Sequence, residues 1–141
     1  RRAILSLDPN ARVTEQACEM LVALAEEGWV DDEIARSIVR RYLAESQLAA
    51  PDTIILGCTH FPLLSGAIRD VTQGRVSIVD SAGTTAAVVR ATMAAEGTLR
   101  ESDDPGALRL LATDGARRFA RVGGLFLGKS LSHEDVELVD L

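Results

Sequence analysis

A turn at residues 57–62 brings together a thiol and an imidazole, two groups that can take up and release protons. Cys58 follows a short apolar run, and His60 comes two positions later, close enough to share one site. A cysteine beside a histidine can act as a nucleophile, a general base or a metal ligand. Thr59, between them, offers a hydroxyl and a backbone N–H. This turn is therefore the first candidate for reactive chemistry.

Structural explanations compete with this hypothesis. A cysteine after a buried strand is more often a small apolar core residue, and Cys18 is expected to be one. The only Cys and His residues are Cys18, Cys58, His60 and His133, at no spacing typical of a structural zinc site, so no metal is predicted. A cysteine hydrolase usually places its histidine far along the chain, which disfavours that class.

The elements around the turn predict an α/β fold with mostly parallel sheets flanked by helices. Short apolar runs alternate with amphipathic stretches, as in βα units. The predicted strands cover residues 12–17, 53–56, 76–79, 108–112 and 136–141. The predicted helices cover residues 19–27, 63–71, 85–96 and 115–122, with a longer one from residue 31 that ends before Pro51.

Three polar turns follow predicted strands and lead into helices, at residues 57–62, 80–85 and 113–115. In open α/β sheets, ligands bind beyond the carboxyl ends of the strands. Free N–H groups at helix N-termini suit a carboxylate or a phosphate there. Only the first turn adds a thiol at the start of a helix, a location that favours the thiolate.

Composition excludes several classes of function. The chain has 141 residues and a formal charge of −6, which argues against a nucleic-acid partner. No apolar run approaches the length of a membrane span. Two cysteines do not make a secreted disulfide framework, so a cytoplasmic location is predicted. Lys129, the only lysine, lies on a Gly-rich turn near the end of the sequence and is poorly placed for a pyridoxal phosphate Schiff base.

Residues 55–64 (ILGCTHFPLL) closely resemble the second active-site motif of bacterial glutamate racemases. The wider aspartate/glutamate racemase family shares Gly-Cys-Thr but usually follows it with Glu, so His60 favours glutamate. The resemblance extends over essentially the whole chain, through residues 15–18, 26–28, 79–81 and 136–141. One departure is Glu19, where the family often has proline; this is expected to alter a turn and not the chemistry.

The resemblance implies a cofactor-independent enzyme in which two cysteines move a proton at the α-carbon of glutamate. Cys58 would be one of the two acid/base groups, His60 would assist its thiol, and Thr59 and His60 would contact substrate. The family's other catalytic cysteine lies in an N-terminal region that this chain does not contain. Cys18 matches a position that is not catalytic in the family.

The resemblance also implies an organisation into parts of two similar α/β domains with the active site between them. Residues 1–79 would form most of the second domain, and residues 80–141 the returning part of the first. The chain opens on Arg1 and not on Met, so a preceding part is expected. Without it, the isolated chain should be inactive and, with unpaired sheet edges, poorly stable.

The biological role implied is the supply of D-glutamate for peptidoglycan and cell shape. Glutamate is the expected partner, and a homodimer is considered. Two alternatives stay open: a related racemase of the aspartate or hydantoin type, and a non-catalytic remnant that acts as a binding module.

Overall fold

The computed structural model describes residues 1–45, 51–104 and 106–140, which separate into two compact units, Arg1–Asp80 and Ser81–Leu141. Each unit contains a two-stranded parallel sheet and several helices. The predicted α/β class with parallel strands is therefore confirmed. The division lies close to the expected boundary after Val79, whereas the assignment of the units to particular racemase domains stays a prediction.

The first unit pairs β1 (Thr53–Leu56) with β2 (Ser77–Asp80) in parallel, so that Ile54 lies opposite Ile78. Its α-helices are α1 (Arg2–Leu7), α2 (Glu19–Glu27), α3 (Glu33–Glu45) and α4 (Ser65–Thr72). A short 3₁₀ helix, Phe61–Leu64, leads into α4.

Local chemistry explains where α2 and α3 meet. Gly28 ends α2 with a φ of 79°, a left-handed conformation that glycine adopts without a Cβ clash. The Asp32 carboxylate accepts a hydrogen bond of 2.8 Å from the N–H of Ala35 and so caps the first turn of α3. Helix α2 forms over the predicted residues 19–27, and α3 begins at Glu33, two residues after the predicted start.

One hydrophobic core holds the first unit together. It is built from the inner faces of three helices, the end of β1 and the 3₁₀ helix, and Leu64 of the 3₁₀ helix is completely buried. The buried members are Leu21, Leu24, Ala25, Ala35, Val39, Leu56, Leu64, Ala67 and Ile68. Because apolar burial contributes about 25 cal/mol per Å², this core fixes the 3₁₀ helix against α2.

The second unit contains α5 (Ser81–Ala95), β3 (Leu110–Ala112), α6 (Ala116–Leu127), a 3₁₀ turn (His133–Asp135) and β4 (Val136–Leu138). Strands β3 and β4 are parallel. None of the helices in the described ranges combines the length and apolar character that a bilayer-spanning segment needs.

Gly124 lets the chain return closely over α6. After α6, the backbone N–H of Lys129 donates to the carbonyl of Gly124 at 3.1 Å. A Cβ on Gly124 would lie 2.8 Å from the Lys129 carbonyl oxygen, which is backbone and cannot rotate away. At Gly123, a Cβ would meet only side-chain atoms, at 3.7 Å or more.

The substitution Gly124→Ala is therefore expected to destabilise the protein by about 1–3 kcal/mol, the usual cost of overpacking. Gly123→Ala is the matched control in the same helix. It should be neutral or stabilising by up to about 1 kcal/mol, since alanine favours the helix. Denaturant unfolding of both variants checks this, and equal stability of the two would contradict the close approach.

Several predicted elements were wrong in detail. Residues 12–17 form no strand, because within the described chain they pair with neither sheet, and most of them are exposed. Residues 81–84 are not a turn: α5 begins at Ser81, directly after β2, since serine and threonine are compatible with a first helical turn.

Other boundaries moved. Helix α6 continues past Val122 to Leu127, and β3 begins two residues later than predicted, at Leu110. The last strand ends at Leu138, and Leu141 lies outside the described residues. The stretch 46–50, where the helix after Asp32 was expected to end, also lies outside them.

Candidate active site

Three side chains in the first unit form a line that ends on the predicted thiol. The Cys58 Sγ lies 3.9 Å from Nδ1 of His60, at the long end of hydrogen-bonding distances to sulfur. On the other side of the ring, Nε2 of His60 lies 2.7 Å from Oε1 of Glu26. The structure thus brings Cys58 and His60 together, as the spacing predicted, and adds a carboxylate.

The thiol is held by a turn and not by an α-helix. After β1 ends at the buried Leu56, the carbonyl of Cys58 accepts from the N–H of Phe61 at 3.2 Å and closes the turn. The 3₁₀ helix forms next, and the first α-helical residue is Ser65. The prediction that Cys58 sits at the start of a helix therefore needs correction: His60 is the N-cap of the 3₁₀ helix.

Glu26 reaches His60 because α2 is anchored beside it. Leu24 and Ala25 are buried in the core, and α2 packs against the 3₁₀ helix that His60 caps. Both polar side chains are largely shielded, with 25% of the His60 side chain and 18% of the Glu26 side chain exposed. Partial burial strengthens the contact, because electrostatic interactions are screened less away from water.

The carboxylate decides which ring nitrogen carries a proton. An ionised carboxylate can only accept, so Nε2 of His60 must donate to Glu26. In the neutral ring, Nδ1 then presents its lone pair to the Cys58 thiol and can accept the thiol proton. In the protonated ring, Nδ1 donates to a thiolate. The arrangement can therefore switch Cys58 between its acid and base forms, or activate it as a nucleophile.

The sequence-based prediction missed Glu26, although a signal was present. Glu26 and Glu27 are the last two residues of α2, where the negative end of the helix dipole disfavours a carboxylate. An acid in an unfavourable position that is also shielded from water needs a partner. His60 is 34 residues away, so only the fold supplies that partner.

The remaining candidate residues occupy different surroundings. Thr59 is exposed at the same turn. Cys18 is half-buried against the core, its thiol lies 3.5 Å from the carbonyl oxygen of Gln16, and burial raises its pKa. Over residues 1–45, 51–104 and 106–140, no three His, Cys, Asp or Glu side chains lie together as a metal site would require.

Comparison with known proteins gives a consistent result. No family model matches the chain. A curated glutamate racemase of Geobacter metallireducens is 39% identical over 140 residues, covering 99% of this chain and 51% of the relative. A curated glutamate racemase of Neisseria meningitidis is 40% identical, with the same coverage. The chain thus spans about half the length of the curated relatives it matches.

Solved structures agree with the sequence comparison. The crystal structure of a glutamate racemase isoform of Bacillus anthracis superposes with a TM-score of 0.77 at 29% identity, covering 99% of this chain and 51% of that one. The glutamate racemase of Francisella tularensis, solved in complex with D-glutamate, gives the same TM-score and coverage at 25% identity.

Proposed function

We propose that this chain supplies one catalytic half of an amino-acid racemase. The premise is that the chain corresponds in sequence and fold to the C-terminal half of the glutamate racemases. In this proposal Cys58 is one of two groups that move a proton at the α-carbon of glutamate. The observation that carries it is the line from Cys58 through His60 to Glu26, on a chain that matches racemases over nearly its whole length.

The proposed reaction needs no cofactor. The thiolate of Cys58 removes the α-proton from one face of glutamate, and the bond electrons stay on the α-carbon as a carbanion conjugated with the carboxylate. A second thiol, on the opposite face, then donates its proton to that carbon. One thiolate becomes a thiol and one thiol becomes a thiolate, so protons and charge balance and the centre is inverted. The reverse direction exchanges the two roles.

In this mechanism His60 and Glu26 handle the proton of Cys58. The geometry supports this, since Nδ1 of His60 faces the sulfur and Nε2 is held by the carboxylate. Thr59 and His60 are proposed to contact the substrate. Thr59 is exposed, and its hydroxyl and backbone N–H are donors of the kind that a carboxylate accepts. The second cysteine is proposed to lie outside this chain.

The wider role proposed is the supply of D-glutamate for peptidoglycan in the cytoplasm, and a homodimer stays a prediction. Two other proposals remain distinct. A racemase of the aspartate or hydantoin type would use the same thiol on another substrate. A non-catalytic binding module would retain the fold without turnover.

A substrate panel tests the proposal. The full-length protein, with this chain and the other half that its relatives possess, should convert L-glutamate to D-glutamate and the reverse. Circular dichroism measures the change in the enantiomer ratio. Addition of a chelator or removal of pyridoxal phosphate should leave the rate unchanged. Faster turnover of aspartate or a hydantoin would favour the related racemases, and turnover of none of them would favour the binding module. The 141-residue chain alone is expected to be inactive.

A further inference from the structure

A cleft of about 700 Å³ opens in the second unit, between one face of α6 and the segment that follows it. No step of the proposed racemisation uses it. Its polar lining is predominantly basic and comes from both walls: Arg117, Arg121, Lys129, Ser130 and His133.

The cleft is a product of the backbone path after α6. Arg117 and Arg121 are four residues apart, so they lie on one face of the helix. Gly128 then adopts a left-handed conformation with a φ of 62° and turns the chain back. Because Gly124 has no side chain, the Lys129 backbone can lie against the helix, which places Lys129 in the same cleft as the two arginines.

The charge of the cleft is opposite to that of the chain. Arg117, Arg121 and Lys129 contribute three positive charges, and none of the described residues that line the cleft is acidic. The whole chain carries a formal charge of −6. A concave site lined by one sign of charge concentrates ligands of the other sign.

From this we infer that the cleft binds a small organic anion with two or more phosphate charges. Guanidinium groups match phosphate oxygens with paired donors, and an ammonium adds a point charge. Leu125 and Leu131 offer apolar contact for the organic part, and the volume lies in the range of small-molecule sites. The acidic chain disfavours a nucleic acid, which needs an extended basic surface.

Calorimetric titration of the protein with pyrophosphate and with fructose 1,6-bisphosphate tests the inference. Both should bind saturably, the bisphosphate more tightly, and raising the salt concentration should weaken both. Arg117→Gln should weaken binding of each about tenfold, equivalent to about 1.4 kcal/mol. The matched control is Arg90→Gln on α5, which removes the same charge from the same unit outside the cleft and should leave binding within about twofold.

Three results would overturn the inference: no saturable binding of either phosphate, equal weakening by the two arginine substitutions, or glutarate binding as tightly as pyrophosphate. The last result would show that the cleft does not prefer phosphates over carboxylates. The cleft would then be a dicarboxylate site, because glutarate carries two carboxylates and no phosphate. None of these outcomes bears on racemisation, so failure here leaves the proposed function of Cys58 intact.

Discussion

Under the proposed function, replacing Cys58 with serine in the full-length protein is expected to lower the rate of glutamate racemisation by about 10³-fold or more. A serine hydroxyl is nearly isosteric with the thiol but is a far weaker acid. It therefore stays protonated and cannot serve as the base that removes the α-proton. A positioned acid/base group contributes about 10²–10⁴-fold, and the proposed inversion needs Cys58 in every turnover. Denaturant unfolding should be almost unchanged, since Cys58 is only partly buried.

Exchange of the α-hydrogen in D₂O sharpens this test. If two thiols face opposite sides of the carbon, Cys58→Ser should abolish exchange from one enantiomer and preserve it from the other. Cys18→Ser is the matched control: it removes the other thiol of the chain, whose pKa is raised by burial, and should keep the racemisation rate within a few-fold. Near-normal racemisation by Cys58→Ser, or equal losses in both variants, would refute the assignment.

Replacing Glu26 with glutamine is expected to lower kcat by about 10²-fold with little change in KM. Glutamine keeps the size of the side chain but removes its charge, and its amide can donate as well as accept. Nε2 of His60 is then no longer obliged to carry the proton. The ring can adopt the tautomer that presents an N–H to Cys58, which cannot accept the thiol proton.

Two further variants separate this role from a general loss of charge. Glu27→Gln removes the same charge from the adjacent position of α2 and should retain kcat within about twofold. Glu26→Asp keeps the carboxylate on a shorter side chain and should recover part of the rate. If Glu26→Gln raised KM while kcat stayed unchanged, Glu26 would act in binding and not in holding the tautomer of His60.

Much of the fold could be predicted from the sequence because the signals for its helices and strands are local. The β-branched run before Gly57, the glycine after α2 and the aspartate before α3 each act within a few residues, and the structure has the expected elements there. Residues 12–17 show where this fails. A strand exists only with a partner, and the sequence of that segment does not say whether a partner is present.

The sequence by itself was enough to identify Cys58 and His60 as candidate acid/base residues. Both lie in one turn of six residues, so the backbone keeps them near each other. Only the tertiary structure decided that Glu26 joins them and that His60 presents Nδ1 to the sulfur. That contact crosses 34 residues and depends on the packing of α2 against the 3₁₀ helix, which buried Leu24, Ala25 and Leu64 enforce. The hydrophobic effect is non-directional and can pack residues that are far apart in the sequence. A local sequence pattern therefore does not predict which polar groups this packing brings together.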